Sequence, residues 1–359
     1  MMKRILTIVG ARPQFIKAAA ISHVIRDKYS DCISEDILHT GQHYDDAMSG
    51  RFFTELDIPL PKYNLGVGSG SHGRQTAIML NGIEEILLNN RYDGLLVYGD
   101  TNSTLAGALA ASKLQVPVYH VEAGLRSFNR AMPEEVNRIV ADHVSALLFA
   151  PTQTAMQNLH NEGFGTDQAI FSGDVMLDNV RHYTPIALQS APSSIPEIPF
   201  ILATVHRDFN TDNPERLKSI LSTLCALSDS YGTDILFPLH PRTRQRIDSM
   251  NIGPLPDRIR IVQPFSYLET LAALNRSWLV LTDSGGLQKE AYFCGRPCVI
   301  LRPETEWIEI VDAGAAILAD ADPERIETAA SSLKDFSPTP PTQFGNGSAA
   351  DIIIQKILL

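Results

Sequence analysis

The stretch "VPVYHVEAGLRSFNRAMPEEVNR" (116–138) leaves an apolar strand, "VPVYHVEA" (116–123), and opens into a helix after Pro133. From His120 to Arg138 it holds one His, three Glu and three Arg among small and apolar residues. A strand that is apolar in its body and polar only at its C-terminal end fits a parallel sheet covered on both faces, where ligands bind at that edge. A solvated turn would explain these charges one at a time. It would not explain why the same arrangement recurs along the chain.

Working outward, "RILTIVG" (4–10), "DGLLVYGD" (93–100), "ALLFAP" (146–151) and "AIFSGD" (169–174) read as further strands. Helical patterns such as "NSTLAGALAASKLQ" (102–115) and "TQTAMQNLHNEG" (152–163), the latter stopped by Gly163, lie between them. The pattern then starts again with "FILATVH" (200–206), "DILFPLH" (234–240), "IRIVQP" (259–264), "SWLVLTDS" (277–284), "RPCVILR" (296–302) and "AAILA" (315–319). Such alternation predicts an α/β protein of two doubly wound Rossmann-like domains facing a cleft. The Pro- and Ser-rich "QSAPSSIPEIP" (189–199) is the expected linker. The domains are then 1–188, rejoined by a last helix at 349–359, and 189–348.

The composition fits. The 359 residues are 44% hydrophobic and 20% charged, and the net charge is −11. An acidic chain repels polyanions, which argues against nucleic acid and anionic membranes as partners but not against one small anion held by local donors. No apolar run reaches the roughly 18–20 residues that span a bilayer. Four scattered cysteines, Cys32, Cys225, Cys294 and Cys298, read as reduced thiols of a cytoplasmic protein.

Polar residues cluster at the strand ends. "TDSGGLQKEA" (282–291) puts Ser284, Gly285 and Gly286 between strand and helix, where free N–H groups and the helix dipole suit a phosphate. Glu290 on the same helix is within reach of a ribose diol. In "GARPQFIKAAA" (10–20), Arg12 and Lys17 sit at the amino end of a helix, against its dipole, and so aim at an anion. Asp100 ends "LLVYGD", either as a helix cap or as a site carboxylate. Glu122 ends the next strand, and Glu134 and Glu135 open the helix after it. Carboxylates converging on one edge suit acid–base work. His206 in "TVHRD" and His240 in "PLHPRTR", with Arg207, Arg242 and Arg244, again suggest an anion. No H-E-x-x-H, paired His at ligand spacing or Cys/His cluster occurs, so neither metal nor cofactor is expected.

Taken in order, "GARPQFIKA", "TGQHYDDAMS", "VYGDTNSTLAGALAASK", "HVEAGLRSFNRAMPEEVNRI", "TVHRDFNTDNPERL", "PLHPRTR" and "TDSGGLQKEA" resemble the non-hydrolysing UDP-N-acetylglucosamine 2-epimerase family over essentially the whole chain. The resemblance implies a glycosyltransferase-B-like fold with UDP held mostly by the second domain, a homodimer, and a role in making surface polysaccharide precursors. It implies that Asp100, Glu122 and Glu134 are the acid–base and orienting carboxylates, with His206 beside the leaving phosphate. Arg12, Lys17, Arg138, His240, Phe265, Ser284, Gly285, Gly286 and Glu290 would bind the UDP-sugar. Gln42, His43, Arg74, Gln75 and Arg207 match a second, allosteric UDP-sugar site.

Two departures from the family stand out: Gln14 where many members have Glu, and Trp307 in "TEWIE" (305–309) where a cation is usual. The implied reaction converts UDP-N-acetylglucosamine to UDP-N-acetylmannosamine by elimination of UDP and re-addition. "GARPQFIKA" also resembles a subgroup acting on UDP-2,3-diacetamido-2,3-dideoxy-glucuronate, for which Arg126 or Arg130 would supply a further cation. A hydrolysing epimerase, a glycosyltransferase of the same fold and a non-catalytic nucleotide-sugar sensor are the other classes to separate.

Overall fold

A computed structural model describes residues 2–41, 53–250, 255–336 and 341–359. Two compact units divide the chain, Met1–Asn179 with Thr342–Leu359 and Val180–Pro341.

The first unit holds a seven-stranded parallel sheet in the order β3-β2-β1-β4-β5-β6-β7. Its strands are β1 (Lys3–Val9), β2 (Ile33–His39), β3 (Tyr63–Asn64), β4 (Gly94–Tyr98), β5 (Val118–Val121), β6 (Leu147–Ala150) and β7 (Ala169–Phe171). Helices α1 (Arg12–Lys28), α2 (His72–Asn89), α3 (Asn102–Lys113), α4 (Pro133–Val144), α5 (Gln153–Asn161) and α6 (Val175–Gln189) follow in chain order. The body of the sheet is fully buried: Ile8, Leu95, Leu96, Val97 and Leu148 expose nothing. That is why these strands read as unbroken apolar runs.

Strand β2 does not read that way. Its sequence "ISEDILH" carries Glu35 and Asp36 in mid-strand. Both are absorbed by neighbours. Glu35 accepts from Thr7 Oγ1 (2.5 Å) and Ser22 Oγ (2.6 Å), and Asp36 from Lys62 Nζ (2.7 Å) and Tyr92 Oη (2.8 Å). Tertiary partners override the polar sequence.

The second unit holds a six-stranded parallel sheet in the order β10-β9-β8-β11-β12-β13. These are β8 (Phe200–Thr204), β9 (Ile235–Pro238), β10 (Ile259–Val262), β11 (Ser277–Thr282), β12 (Cys298–Ile300) and β13 (Ala316–Leu318). Helices α7 (Asp208–Thr211), α8 (Pro214–Tyr231), α9 (Pro241–Ser249), α10 (Tyr267–Arg276), α11 (Gly285–Phe293), α12 (Ile308–Asp312) and α13 (Pro323–Leu333) alternate with them. Leu217, Leu221 and Leu224 of α8 and Ile326 and Ala330 of α13 join Ile201, Leu279 and Val299 in one core.

The division between units falls inside α6, ahead of the Pro- and Ser-rich segment read as the linker. Tyr183, in the part of α6 that belongs to the second unit, meets Tyr267 edge-on, with ring centroids 5.7 Å apart. The final helix, α14 (Ala349–Leu358), belongs to the first unit. Asp178 caps its start by accepting from Ala349 N (3.1 Å) and Ala350 N (2.8 Å), and Lys3 Nζ donates to Ile357 O (2.6 Å) near its end.

Both strand orders reverse direction at one point, between β1 and β4 and between β8 and β11. Loops leaving two such strands diverge to opposite sides of the sheet and open a crevice at their carboxyl ends. Arg12 and Asp100 follow β1 and β4, and His206 and Ser284 follow β8 and β11.

Candidate active site

In the first unit, the loops after β1 and β4 carry Arg12 and Asp100. Gly10 is required where they meet, because a Cβ there would fall 2.2 Å from both Ser103 Oγ and Thr40 Oγ1. Gln14 joins the two loops. Its Oε1 accepts from Gly10 N (2.9 Å) and its Nε2 donates to Tyr98 O and Thr104 Oγ1 (each 3.0 Å). A fully buried amide that donates with one end and accepts with the other does what a carboxylate could not do at this position.

Asp100 does not cap α3; Thr101 does, accepting from Thr104 N. Asp100 instead pairs with Arg138 of α4. Arg138 also donates to Glu135 (2.9 Å). Glu135 is buried and accepts from Ser127 N (2.9 Å), Ser127 Oγ (3.0 Å) and Phe128 N (2.9 Å). Burial pushes its carboxyl up, but these donors and Arg138 outweigh that and hold it below the usual carboxylate range. Of the two adjacent acids, then, Glu135 is buried and held by donors, and Glu134 is exposed.

Glu122 follows β5 with φ +71°, a left-handed conformation that is rare outside glycine and that clusters at functional sites. It is 9% exposed and pairs with Lys17 of α1. The expected carboxylates are therefore interleaved with cations: Lys17 beside Glu122, Arg138 beside Asp100. Arg12, at the first position of α1, is exposed.

Arg126 does not supply a mobile cation. Its side chain is 1% exposed, 2.7 Å from Asp142 and 2.6 Å from Glu162. Arg130 is exposed, on the turn that Glu135 holds. Gln42 and His43 lie outside the described residues. Arg74 is exposed on α2, whereas Gln75 is buried, donating to Gly68 O (2.8 Å) and accepting from Asn102 Nδ2 (3.1 Å).

In the second unit, the crevice loops carry His206 and Arg207 after β8 and Asp283 to Gly286 after β11. Asp283, which sequence reasoning passed over, organises them. It is fully buried and accepts from His206 N (3.1 Å), Arg207 N (3.0 Å) and Asn210 Nδ2 (3.1 Å). The His206 ring, 47% exposed, sets Nδ1 3.3 Å from Asp283. A carboxylate at Nδ1 fixes the ring orientation. The only sequence signal for Asp283 was its place just before Ser284.

Ser284 caps α11, accepting from Leu287 N (3.4 Å). A Cβ at Gly285 would fall 2.1 Å from Glu306 Oε1, so any larger residue there displaces the Glu306 carboxylate. Glu290 is buried one turn further on. Trp307 is buried, and Lys289 Nζ stands 4.0 Å from its ring centroid, so a cation remains at this position although the chain carries Trp there. His240 caps α9 through Nδ1, 3.3 Å from Arg242 N. Arg242 is tied to Asp208 and Asp212, each at 2.7 Å. Phe265 is half-buried directly before Ser266, the cap of α10. Among the described residues no cluster of His, Cys, Asp and Glu could hold a metal ion.

The first unit thus presents paired carboxylates and cations at its crevice. The second presents backbone N–H groups at a helix start and an oriented histidine. Proton transfer and diphosphate binding are the chemistries these two sets suit.

The chain is similar to known proteins over nearly its whole length. A family model described as UDP-N-acetylglucosamine 2-epimerase matches residues 28–358. The chain is 48% identical to the UDP-2,3-diacetamido-2,3-dideoxy-D-glucuronate 2-epimerase of Pseudomonas aeruginosa, with 99% of each covered. It is 41% identical to the UDP-N-acetylglucosamine 2-epimerase of Methanocaldococcus jannaschii, with 97% of each covered. The crystal structure of UDP-GlcNAc 2-epimerase from M. jannaschii in complex with UDP-GlcNAc and UDP matches with a TM-score of 0.87 at 40% identity over 98% of both chains. That of UDP-GlcNAc 2-epimerase from Neisseria meningitidis bound to UDP-GlcNAc matches with a TM-score of 0.89 at 28% identity over 99% of both. The chain belongs to the UDP-N-acetylglucosamine 2-epimerase family, and its two parallel-sheet α/β domains are of the glycosyltransferase-B-like kind.

Proposed function

We propose that the protein inverts C2 of a UDP-linked 2-acetamido sugar, converting UDP-N-acetylglucosamine to UDP-N-acetylmannosamine and keeping UDP in the product. A carboxylate takes the C2 proton as the C1–O bond to UDP breaks, leaving a glycal and UDP. UDP then adds back to C1 while a second acid protonates C2 from the other face, so atoms and charge balance. Asp100, Glu122 and Glu134 supply the acid–base and orienting groups, and His206 stands beside the departing phosphate. Ser284, Gly285 and Gly286 take diphosphate oxygens and Glu290 the ribose. The observation that carries this reading is the interleaving of Asp100 with Arg138 and Glu122 with Lys17 at one crevice. Simple anion binding gains nothing from added carboxylates, whereas acid–base work needs them.

A second sugar has its own support. The 48% identity to the diacetamido-glucuronate enzyme favours a substrate with a 3-acetamido group and a 6-carboxylate. Exposed Arg130 is the cation that carboxylate would use.

We further propose that the first unit handles the sugar and the second the nucleotide, and that the enzyme works in the cytoplasm as a homodimer. Four free cysteines, two of them with thiols that burial pushes well above the usual range, suit a reducing compartment. Exposed Ile78 and Leu88 on α2 suit a subunit contact. Among the described residues no helix is long and apolar enough to cross a membrane.

Proton NMR in deuterated water, with each UDP-sugar in turn, tests the reaction. Expected is a new manno anomeric signal, deuterium at C2 and UDP retained. Free sugar plus UDP would instead define a hydrolysing enzyme, and no turnover of either donor would remove the proposal.

A further inference from the structure

His120 is fully buried, and both of its ring nitrogens face acceptors. Nδ1 lies 2.6 Å from Asp142 Oδ1 and Nε2 lies 2.7 Å from the carbonyl oxygen of Gly99. A carbonyl oxygen can only accept. Asp142 acts only as an acceptor as well, because its other oxygen takes Gly124 N (3.1 Å) and Arg126 (2.7 Å). Burial pushes the Asp142 carboxyl up, but His120 and Arg126 outweigh this and hold it low. A neutral imidazole would set one lone pair against an acceptor, at a cost nothing nearby offsets. Both ring nitrogens therefore carry protons. The charge is balanced locally, since His120 and Arg126 are matched by Asp142 and Glu162, and the remaining titratable group at this cluster, His143, lies 3.9 Å from Glu162.

What the ring holds matters more than its charge. Gly99 sits at the exit of β4 with φ +62°. Its N–H donates to Val121 O (3.0 Å) and its carbonyl, part of the peptide that leads into Asp100, accepts from His120, so Gly99 is held through both of its backbone polar groups. A Cβ on Gly99 would lie 3.2 Å from Lys17 Nζ and 3.6 Å from Glu122 Oε2, so the Lys17–Glu122 pair rests on this glycine. One ring thus fixes the segment that carries Asp100 and the floor beneath Glu122.

We propose that His120 is a buried imidazolium acting as a positioning residue: it fixes the Gly99 peptide and, through it, the Asp100 and Glu122 carboxylates for proton transfer at C2. This rests on the epimerase reading. Two variants separate the two contacts of the ring. The amide of His120→Gln reaches toward the Nε2 position and keeps a donor for Gly99, losing Asp142. The amide of His120→Asn lies near the Nδ1 position, keeping Asp142 and losing Gly99.

Expected for His120→Asn is a kcat lower by about 100-fold with KM within about threefold, the signature of misplaced acid–base groups. His120→Gln should keep kcat within about tenfold yet melt at the lower temperature, since it strips the buried Asp142 of a partner. A merely structural residue would rank the two variants alike in kcat and melting. That parallel ranking, or a change in KM alone, overturns the proposal. Wild-type turnover is measured first: if neither UDP-sugar turns over, the epimerase reading fails by itself. Nitrogen NMR of the ring then still decides the charge, with two ring N–H groups supporting it and a neutral tautomer overturning it.

Discussion

At the residue scale, carboxylates in this molecule behave according to their partners. Glu35 sits in mid-strand with the hydroxyls of Thr7 and Ser22 as its donors among the described residues, and burial pushes its carboxyl up against their pull. A carboxyl raised in the folded state lowers stability progressively as pH rises from its unfolded value, about 4.3, to its folded one. Glu35→Gln removes that cost, so the variant should melt higher than the wild type at neutral pH and lose its advantage near pH 4. Glu135 is the opposite case, lowered by Ser127, Phe128 and Arg138 despite burial. Its contribution is present above about pH 4.3 and fades as pH falls through its folded value. Glu135→Gln should destabilise by about 1–3 kcal/mol at pH 7. The gap from wild type should close in acid, as read by urea titration at several pH values. Because Arg138 bridges Glu135 to Asp100, the same change should lower kcat.

At the scale of elements, the strand-to-helix turns concentrate both strain and function. Gly10→Ala would drive a methyl group into the hydroxyls of Ser103 and Thr40. A cost of about 1–3 kcal/mol is expected from such overpacking, measured as a lower melting temperature. Ser284 is the cap of α11 and the first of three residues read as diphosphate ligands. Ser284→Ala should cost about 1 kcal/mol of stability. Calorimetric titration with UDP should show weaker binding as well. A stability loss without a binding loss would leave Ser284 as a cap and remove it from the ligand set.

For the whole molecule, the last helix completes the first unit. Ile353 of α14 is fully buried, and Tyr29 of the loop after α1 donates to Asp351 of the same helix at 2.9 Å. Ile353→Ala should destabilise the first unit by about 2–4 kcal/mol. Hydrogen exchange should speed up across α1 and α14 while the amides of α8 and α13 in the second unit stay protected. Uniform loss of protection in both units would mean that the chain unfolds as one body.

Strand–helix alternation, the repeat of that pattern and the polar ends of apolar strands were all legible in the chain, because burial on both faces demands unbroken apolar runs and leaves chemistry only at the mouths. So were the turns at Gly10, Asp100, Glu122, His206 and Ser284. Strand β2 was not, since the partners that make Glu35 and Asp36 tolerable come from residues far along the sequence. The division within α6 was not either, because a Pro- and Ser-rich stretch marks irregular backbone rather than the side to which Tyr183 packs. Nor could a linear pattern show that Glu135 is buried while the adjacent Glu134 is exposed. Only the fold brought Ser127, Phe128 and Arg138 onto Glu135, Asp283 under His206, and the Gly99 carbonyl onto His120. Residue types with their spacing determined the architecture and the class of chemistry. Which carboxylates are buried and held by hydrogen-bond donors depends on residues contributed by other loops, and tertiary structure alone decided it.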